Sequence, residues 1–288
     1  MTKIALLGNP NSGKTSIFNI ITGSNQQVGN WPGVTVECKT GRYKKDKNIA
    51  IQDLPGTYSL SPYTLEEQVT RNYLSETHPD VLLNIIDATN LERSLYLTLQ
   101  LMEFNIPIVV ALNMSDLLEH QGKQIDIEKL SYSLGLPVVL TSALKKKGLD
   151  EAIRKACQPL EITPLDYDHR LESALAEIQT ICPQAKNHFD QIKLFEGDSL
   201  ALATLTASQR QELDEIVAIT ERIMGDDRES IIVNERYDLI SQIIRLVVTS
   251  TQKGQLNLTD KIDRIVTHKW LGLPIFILIM WLVYFLAI

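Results

Sequence analysis

Residues Gly8-Asn9-Pro10-Asn11-Ser12-Gly13-Lys14-Thr15 fit the pattern G-x-x-x-x-G-K-[ST]. The residue types explain what such a loop can do. Glycines let backbone N–H groups close around a phosphate, and an ammonium reaches its outer oxygens. A hydroxyl at the end of the loop can ligate Mg²⁺. Lys14 is therefore expected at the β- and γ-phosphates and Thr15 at the metal. Gly8, Asn9, Asn11, Ser12, Gly13 and Ser16 would make up the rest of the cradle. The loop needs a strand before it and a helix after it. Ile4 to Leu7 predicts a buried strand, and Ser16 to Ile21 predicts a helix whose N-terminus adds a positive dipole. The segment predicts binding of a nucleoside phosphate.

The base is chosen elsewhere. Asn113-Met114-Ser115-Asp116 follows the apolar run Ile108 to Leu112. The Asp116 carboxylate can accept from the N1–H and exocyclic amine of guanine, a donor pair that adenine lacks. Asn113 would brace this loop against the phosphate loop. Met114 stands where the usual N-K-x-D element has lysine, so the purine face loses an aliphatic stem and a charge. Thr141-Ser142-Ala143-Leu144 follows the next strand, and its Ser142, Ala143 and Leu144 backbone can contact the guanine O6. Asp53-Leu54-Pro55-Gly56 follows an earlier strand. There Asp53 would hold Mg²⁺ through water, and the Gly56 N–H would meet the γ-phosphate. Between them lies Val28 to Thr35. The Thr35 hydroxyl can complete the Mg²⁺ shell only when a γ-phosphate is present, with Gly33 and Val34 beside it at the nucleotide, which makes that loop a switch. Five elements in order predict GTP rather than ATP, with GDP as product. Thr57 occupies the place where many small GTPases carry a water-orienting glutamine, so slow intrinsic hydrolysis is expected.

The elements that must position these loops are legible as well. Continuous apolar runs at Val81 to Ile86, Ile106 to Leu112 and Leu136 to Leu140, with Asn48 to Gln52, predict parallel strands buried on both faces. Leu65 to Ser75, Leu91 to Phe104 and Leu149 to Cys157 carry helical periodicity between them. The first 160 residues thus predict a doubly wound α/β sheet of the P-loop, Ras-like GTPase class. Gln158 to Asp168, with Pro159 and Pro164, predicts a linker. Beyond it His169–Ile181, Asn187–Phe195, Ser208–Met224 and Glu229–Thr249 predict an all-helical domain over residues 165–265. Ser230 to Val233 is the single short run there with strand character.

Composition narrows the class further. An apolar fraction of 44% and a charged fraction of 22% belong to a packed globular chain. A net charge of −7 argues against nucleic acid as a partner. Cys38, Cys157 and Cys182 are far apart and suggest neither disulfides nor zinc, and the five histidines are scattered. From Trp270 to Ile288 no residue is charged. Nineteen such residues rise roughly 28 Å as a helix, about a bilayer's hydrocarbon thickness. A transmembrane helix over 270–288 is therefore expected, preceded by Lys261, Arg264, His268 and Lys269 on its cytoplasmic side. Its position suggests a piece of a longer polytopic protein.

Taken together, GNPNSGKT, VGNWPGVTVE, DLPGTYSLSPY, DATNLERSLYLT, ALNMSD and HKWLGLPIFILIMW resemble the amino-terminal part of the ferrous iron transport protein B (FeoB) family. The resemblance covers the whole chain. It implies a cytoplasmic GTP-hydrolysing domain (1–160), a helical domain acting as a GDP-dissociation inhibitor (165–265), and the first, truncated helix of a membrane domain at the inner membrane. It also implies potassium-stimulated turnover, with Asn11 and the Gly29 and Trp31 carbonyls holding K⁺ where an arginine finger would otherwise act. Iron(II) enters through this resemblance alone. The implied partners are guanine nucleotide, the membrane and the remaining membrane domain, with further copies in a homo-oligomer left open. Two other readings share the motifs: a soluble K⁺-dependent GTPase of ribosome or tRNA maturation, and a nucleotide-gated switch with negligible turnover. The first would need a basic domain after residue 160, which the charge disfavours.

Overall fold

The apolar runs pair in parallel at the centre of a seven-stranded sheet. The computed structural model describes residues 1–24, 26–61, 63–118 and 123–250, together with Pro274, Phe276, Met280, Trp281, Val283, Tyr284 and Phe285. Strands β1 (Thr2–Gly8), β4 (Asp46–Asp53), β5 (Val81–Asp87), β6 (Ile108–Asn113) and β7 (Val138–Leu140) run parallel, with β1 between β4 and β5 and β6 between β5 and β7. Alternate residues of the same strand face opposite layers. Leu82 and Ile86 join the core packed against α3 (Leu91–Met102), while Leu83 and Ile85 join the core packed against α1 (Lys14–Thr22) and α6 (Leu149–Ala156). Burial on both sides is why these strands lack a polar alternation. The remaining helices of this half are α2 (Leu65–Thr77), α4 (Ser115–Leu118) and α5 (Ile127–Leu134).

One edge differs from the all-parallel expectation. Strands β2 (Gln26–Asn30) and β3 (Glu37–Tyr43) add antiparallel to β4, so part of the expected switch loop is strand. Val28 is 61% exposed there. Polar residues and Gly29 hide such a strand from an apolar periodicity, and its register comes from pairing with β3 rather than from local propensity.

After an extended linker come α7 (His169–Ile181), α8 (His188–Glu196), α9 (Ser199–Leu202), α10 (Ala207–Met224) and α11 (Arg228–Val247). Each begins at a side chain that accepts from the first turn: Asp168, Asn187, Asp198, Thr206 and Asp227. Such caps contribute about 1 kcal/mol each and fix where the helices start. Leu171, Leu175, Ile178, Phe195, Leu213 and Ile232 form the core of this half. Ser230 to Val233 is helical, because Ile231 and Ile232 face that core within a helix begun by Asp227, while Val233 is exposed.

Two ion pairs join the halves. Arg71 on α2 meets Asp198 through two hydrogen bonds of 2.8 and 3.1 Å. Glu103, just past α3, takes Arg236 of α11 at 2.9 and 3.0 Å and also accepts from the Tyr167 hydroxyl at 2.7 Å. Burial, and then the Glu103 charge, push the Tyr167 phenol well above its ordinary value. Residues Met1–Thr249 form one compact unit and Ser250–Ile288 another. In the second unit the described residues from Pro274 to Phe285 are helical and exposed. Among the described residues no helix is long and apolar enough to cross a membrane. Most of 270–288, and residues 251–265 of the expected helical domain, lie outside the described residues.

Candidate functional site

In a parallel sheet the loops at the carboxyl ends of the strands converge on one rim, and ligands bind there. Here those loops are Gly8–Gly13 after β1, Asp53–Gly56 after β4, Asn113–Asp116 after β6 and Thr141–Leu144 after β7. The two glycines of the first loop are sterically required. A Cβ on Gly8 would lie 2.3 Å from the Ile85 carbonyl oxygen. Gly13 has φ 88°, and a Cβ on it would lie 2.3 Å from Asn113 Nδ2. Asn11 also takes a left-handed backbone (φ 66°), which asparagine tolerates better than most residues. The buried Ser12 hydroxyl has no hydrogen-bond partner. A cradle closed to side chains, with an unpartnered donor inside it, fits an anion.

Lys14 opens α1 and donates from Nζ to Asp53 Oδ1 at 2.5 Å, with both side chains almost fully buried. Burial raises the Asp53 carboxyl above its ordinary value, and the Lys14 ammonium opposes that shift. The ammonium expected at the phosphates and the carboxylate expected at the metal are thus already adjacent. Gly56 backs onto the same loop: a Cβ there would sit 3.3 Å from Pro10 backbone atoms. Thr15 and Ser16 are exposed in the first turn of α1. The Thr15 hydroxyl and the Asp53 carboxylate are hard oxygen donors of the kind Mg²⁺ takes.

Asn113 binds three loops together. Its Nδ2 donates to Ser12 O at 2.8 Å, and its Oδ1 accepts from the Ala143 N–H at 3.0 Å. The Ser115 hydroxyl donates to Thr141 O at 3.0 Å. Met114 adopts φ 61°, a left-handed turn that directs the chain into α4 with Asp116 in its first turn, half-buried. Ser142 is buried and bridges to Lys147, while Leu144 is exposed.

The structure sets the residues expected to form a switch on a different element. Gly29 lies in β2 opposite Cys38, and Trp31 forms a tight turn in which its N–H donates to Val36 O and its carbonyl accepts from Val34 N. Gly33 takes φ 77° at the tip, and Thr35 is exposed. The Trp31 ring packs edge-on against Tyr73 of α2, with centroids 5.4 Å apart. Trp31 Nε1 is buried without a partner. Gly8, Asn9, Ser12, Gly13, Lys14, Asp53, Gly56, Asn113 and Ala143 therefore form one connected cluster, and residues 29–35 sit on a hairpin docked to α2.

Contacts from α3 had no signal beyond the run LERSLYLT. The Asn9 amide donates to Arg93 O at 3.2 Å, Gln100 Oε1 accepts from the Leu60 N–H at 2.9 Å, and the Arg93 guanidinium lies 3.9 Å from the centroid of Tyr58. Among the described residues no group of three or more His, Cys, Asp or Glu side chains is arranged to hold a metal.

Residues 2–156 match the family model described as ferrous iron transport protein B, and residues 167–249 match the FeoB cytosolic helical domain. The Fe(2+) transporter FeoB of Escherichia coli (strain K12) is 39% identical over 298 residues, covering 99% of this chain and 38% of its own length. The Fe(2+) transport protein A/Fe(2+) transporter FeoB fusion protein of Porphyromonas gingivalis is 40% identical over 313 residues, covering 98% of this chain and 36% of its own. The chain thus spans less than two fifths of these curated relatives. A crystal structure of NFeoB from S. thermophilus bound to GDP·AlF₄⁻ and K⁺ is 53% identical, with a TM-score of 0.79, over 85% of this chain and 100% of that one. A GDP-bound mutant of S. thermophilus NFeoB gives 52% identity and a TM-score of 0.84 over 86% of this chain.

Proposed function

The chain belongs to the ferrous iron transport protein B family, and from that premise we propose that it is the GTP-binding and GTP-hydrolysing module of a ferrous iron membrane transporter. The observation that carries the nucleotide reading is the single cluster in which Lys14 meets Asp53 and Asn113 ties the phosphate loop to Ala143. Asp116 follows on the same rim and would read guanine. On binding, Lys14 would exchange Asp53 for the β- and γ-phosphate oxygens, and Asp53, Thr15 and Thr35 would hold Mg²⁺, which would supply positive charge against the phosphates. The Gly56 N–H donates to the γ-phosphate as water forms a bond to its phosphorus and the bond to the β-phosphate oxygen breaks, leaving GDP and phosphate.

Residues 1–160 would be the GTP-binding domain, 165–265 the regulatory helical domain and 270–288 the first membrane helix, with the first two cytoplasmic at the inner membrane. Turnover would be slow because Thr57 replaces glutamine. Asn11, with the Gly29 and Trp31 carbonyls, would hold K⁺, whose charge offsets that developing on the phosphates. The S. thermophilus relative bound to GDP·AlF₄⁻ and K⁺ supports potassium as the cation.

Single-turnover GTP hydrolysis in KCl and in NaCl tests the proposal. Faster hydrolysis in KCl is expected, with the stimulation lost in Asn11→Ala. Equal, near-zero rates in both salts would contradict it and leave a binding switch without turnover.

A further inference from the structure

Thr57 is 4% exposed, so the position that carries a water-orienting side chain elsewhere presents no side chain to solvent here. With the Thr57 side chain turned inward, the placement of the Gly56 N–H becomes the sensitive quantity. Several contacts fix that segment. The Leu54 N–H donates to Leu6 O, the Ser59 hydroxyl to Glu67, and the Leu60 N–H to Gln100. Tyr58, 40% exposed, is held from outside by the Arg93 guanidinium, 3.9 Å above its ring.

Arg93 holds both sides of the site. Its backbone carbonyl accepts from the Asn9 amide of the phosphate loop, and its side chain covers a ring two residues after Gly56. A planar guanidinium suits this role, since it stacks on an aromatic face in a way an ammonium does not. Arg93 is exposed and belongs to neither apolar core of the sheet. Its stack on Tyr58 therefore adds little to global stability while tying two catalytic loops to one point at the start of α3.

We infer that Arg93 is a positioning residue for GTP hydrolysis, holding the Gly56–Leu60 segment in register with the phosphate loop through the Tyr58 ring. This rests on the GTP-hydrolysing reading above. An exposed cation–π pair corresponds to about a two- to fivefold effect on a rate.

The test uses the 288-residue chain and its Arg93→Ala, Tyr58→Leu, doubly substituted and Tyr58→Phe variants. Three quantities are compared: single-turnover hydrolysis at saturating GTP in KCl, GDP affinity by calorimetry, and Tm. Arg93→Ala and Tyr58→Leu should each slow the chemical step about two- to fivefold at unchanged GDP affinity and Tm. The double variant should be no slower than either single one, and Tyr58→Phe, which keeps the ring, should retain the rate. An unchanged rate in Arg93→Ala overturns the inference, and so does a joint loss of rate, GDP affinity and Tm. A wild-type chain that binds GTP without hydrolysing it defeats the functional reading first, and this inference with it.

Discussion

Lys14 and Asp53 are adjacent and buried, so each stabilises the other's charge before any question of catalysis arises. Removing one partner of such a pair strands the other in a low-dielectric setting, at a cost of about 3–5 kcal/mol. Lys14→Ala should therefore lower stability by roughly that amount as well as abolish triphosphate binding. Adding Asp53→Asn should recover most of the Tm but none of the binding. Denaturation of the single and double variants checks this, and a Tm unaffected by Lys14→Ala would show that the pair is not coupled. At this scale the sequence was highly informative. The spacing of the glycines, Lys14 and Thr15 and the bracing role of Asn113 could be read directly, because backbone geometry demands those residue types. Thr35, Gly29 and Trp31 could be named too, but the docking of Trp31 on Tyr73 could not. It depends on an aromatic contact with a residue 42 positions away that no motif records.

At the scale of elements, α3 and α11 carry what the sequence concealed. Glu103 and Arg236 are 133 positions apart and almost wholly buried, yet each sits in an amphipathic helix region where a charged residue ordinarily faces water. Their bidentate pair, with Tyr167 and Glu196 as further partners, fixes how the helical half packs on the sheet half. Arg236→Met should cost about 3–5 kcal/mol by leaving Glu103 uncompensated. Pairing it with Glu103→Leu should recover much of that loss, since a well-packed apolar pair can replace a buried ionic one. Chemical denaturation of the three proteins checks this, and additive losses would show that the two residues act independently. The parallel strands and most helices were legible because apolar runs and capping residues are local signals. Strands β2 and β3 were not, since a polar edge strand is specified by its neighbour.

For the whole molecule, the proposed guanine-nucleotide site and a charge-free stretch at Trp270–Ile288 share one chain. The Escherichia coli and Porphyromonas gingivalis relatives, named as Fe(2+) transporters, are more than twice as long as this sequence. The doubly wound sheet and the helices that follow it were readable from apolar runs and helical periodicity. The antiparallel edge and the buried junction needed the structure. The account depends on guanine recognition by Asp116 beside a phosphate loop braced by Asn113. Calorimetric titration of the 288-residue chain with Mg·GDP and, separately, Mg·ADP tests it most directly. Because adenine would leave the Asp116 carboxylate unpaired, GDP should bind at least about a hundredfold more tightly than ADP. Equal affinity for the two nucleotides would contradict the account.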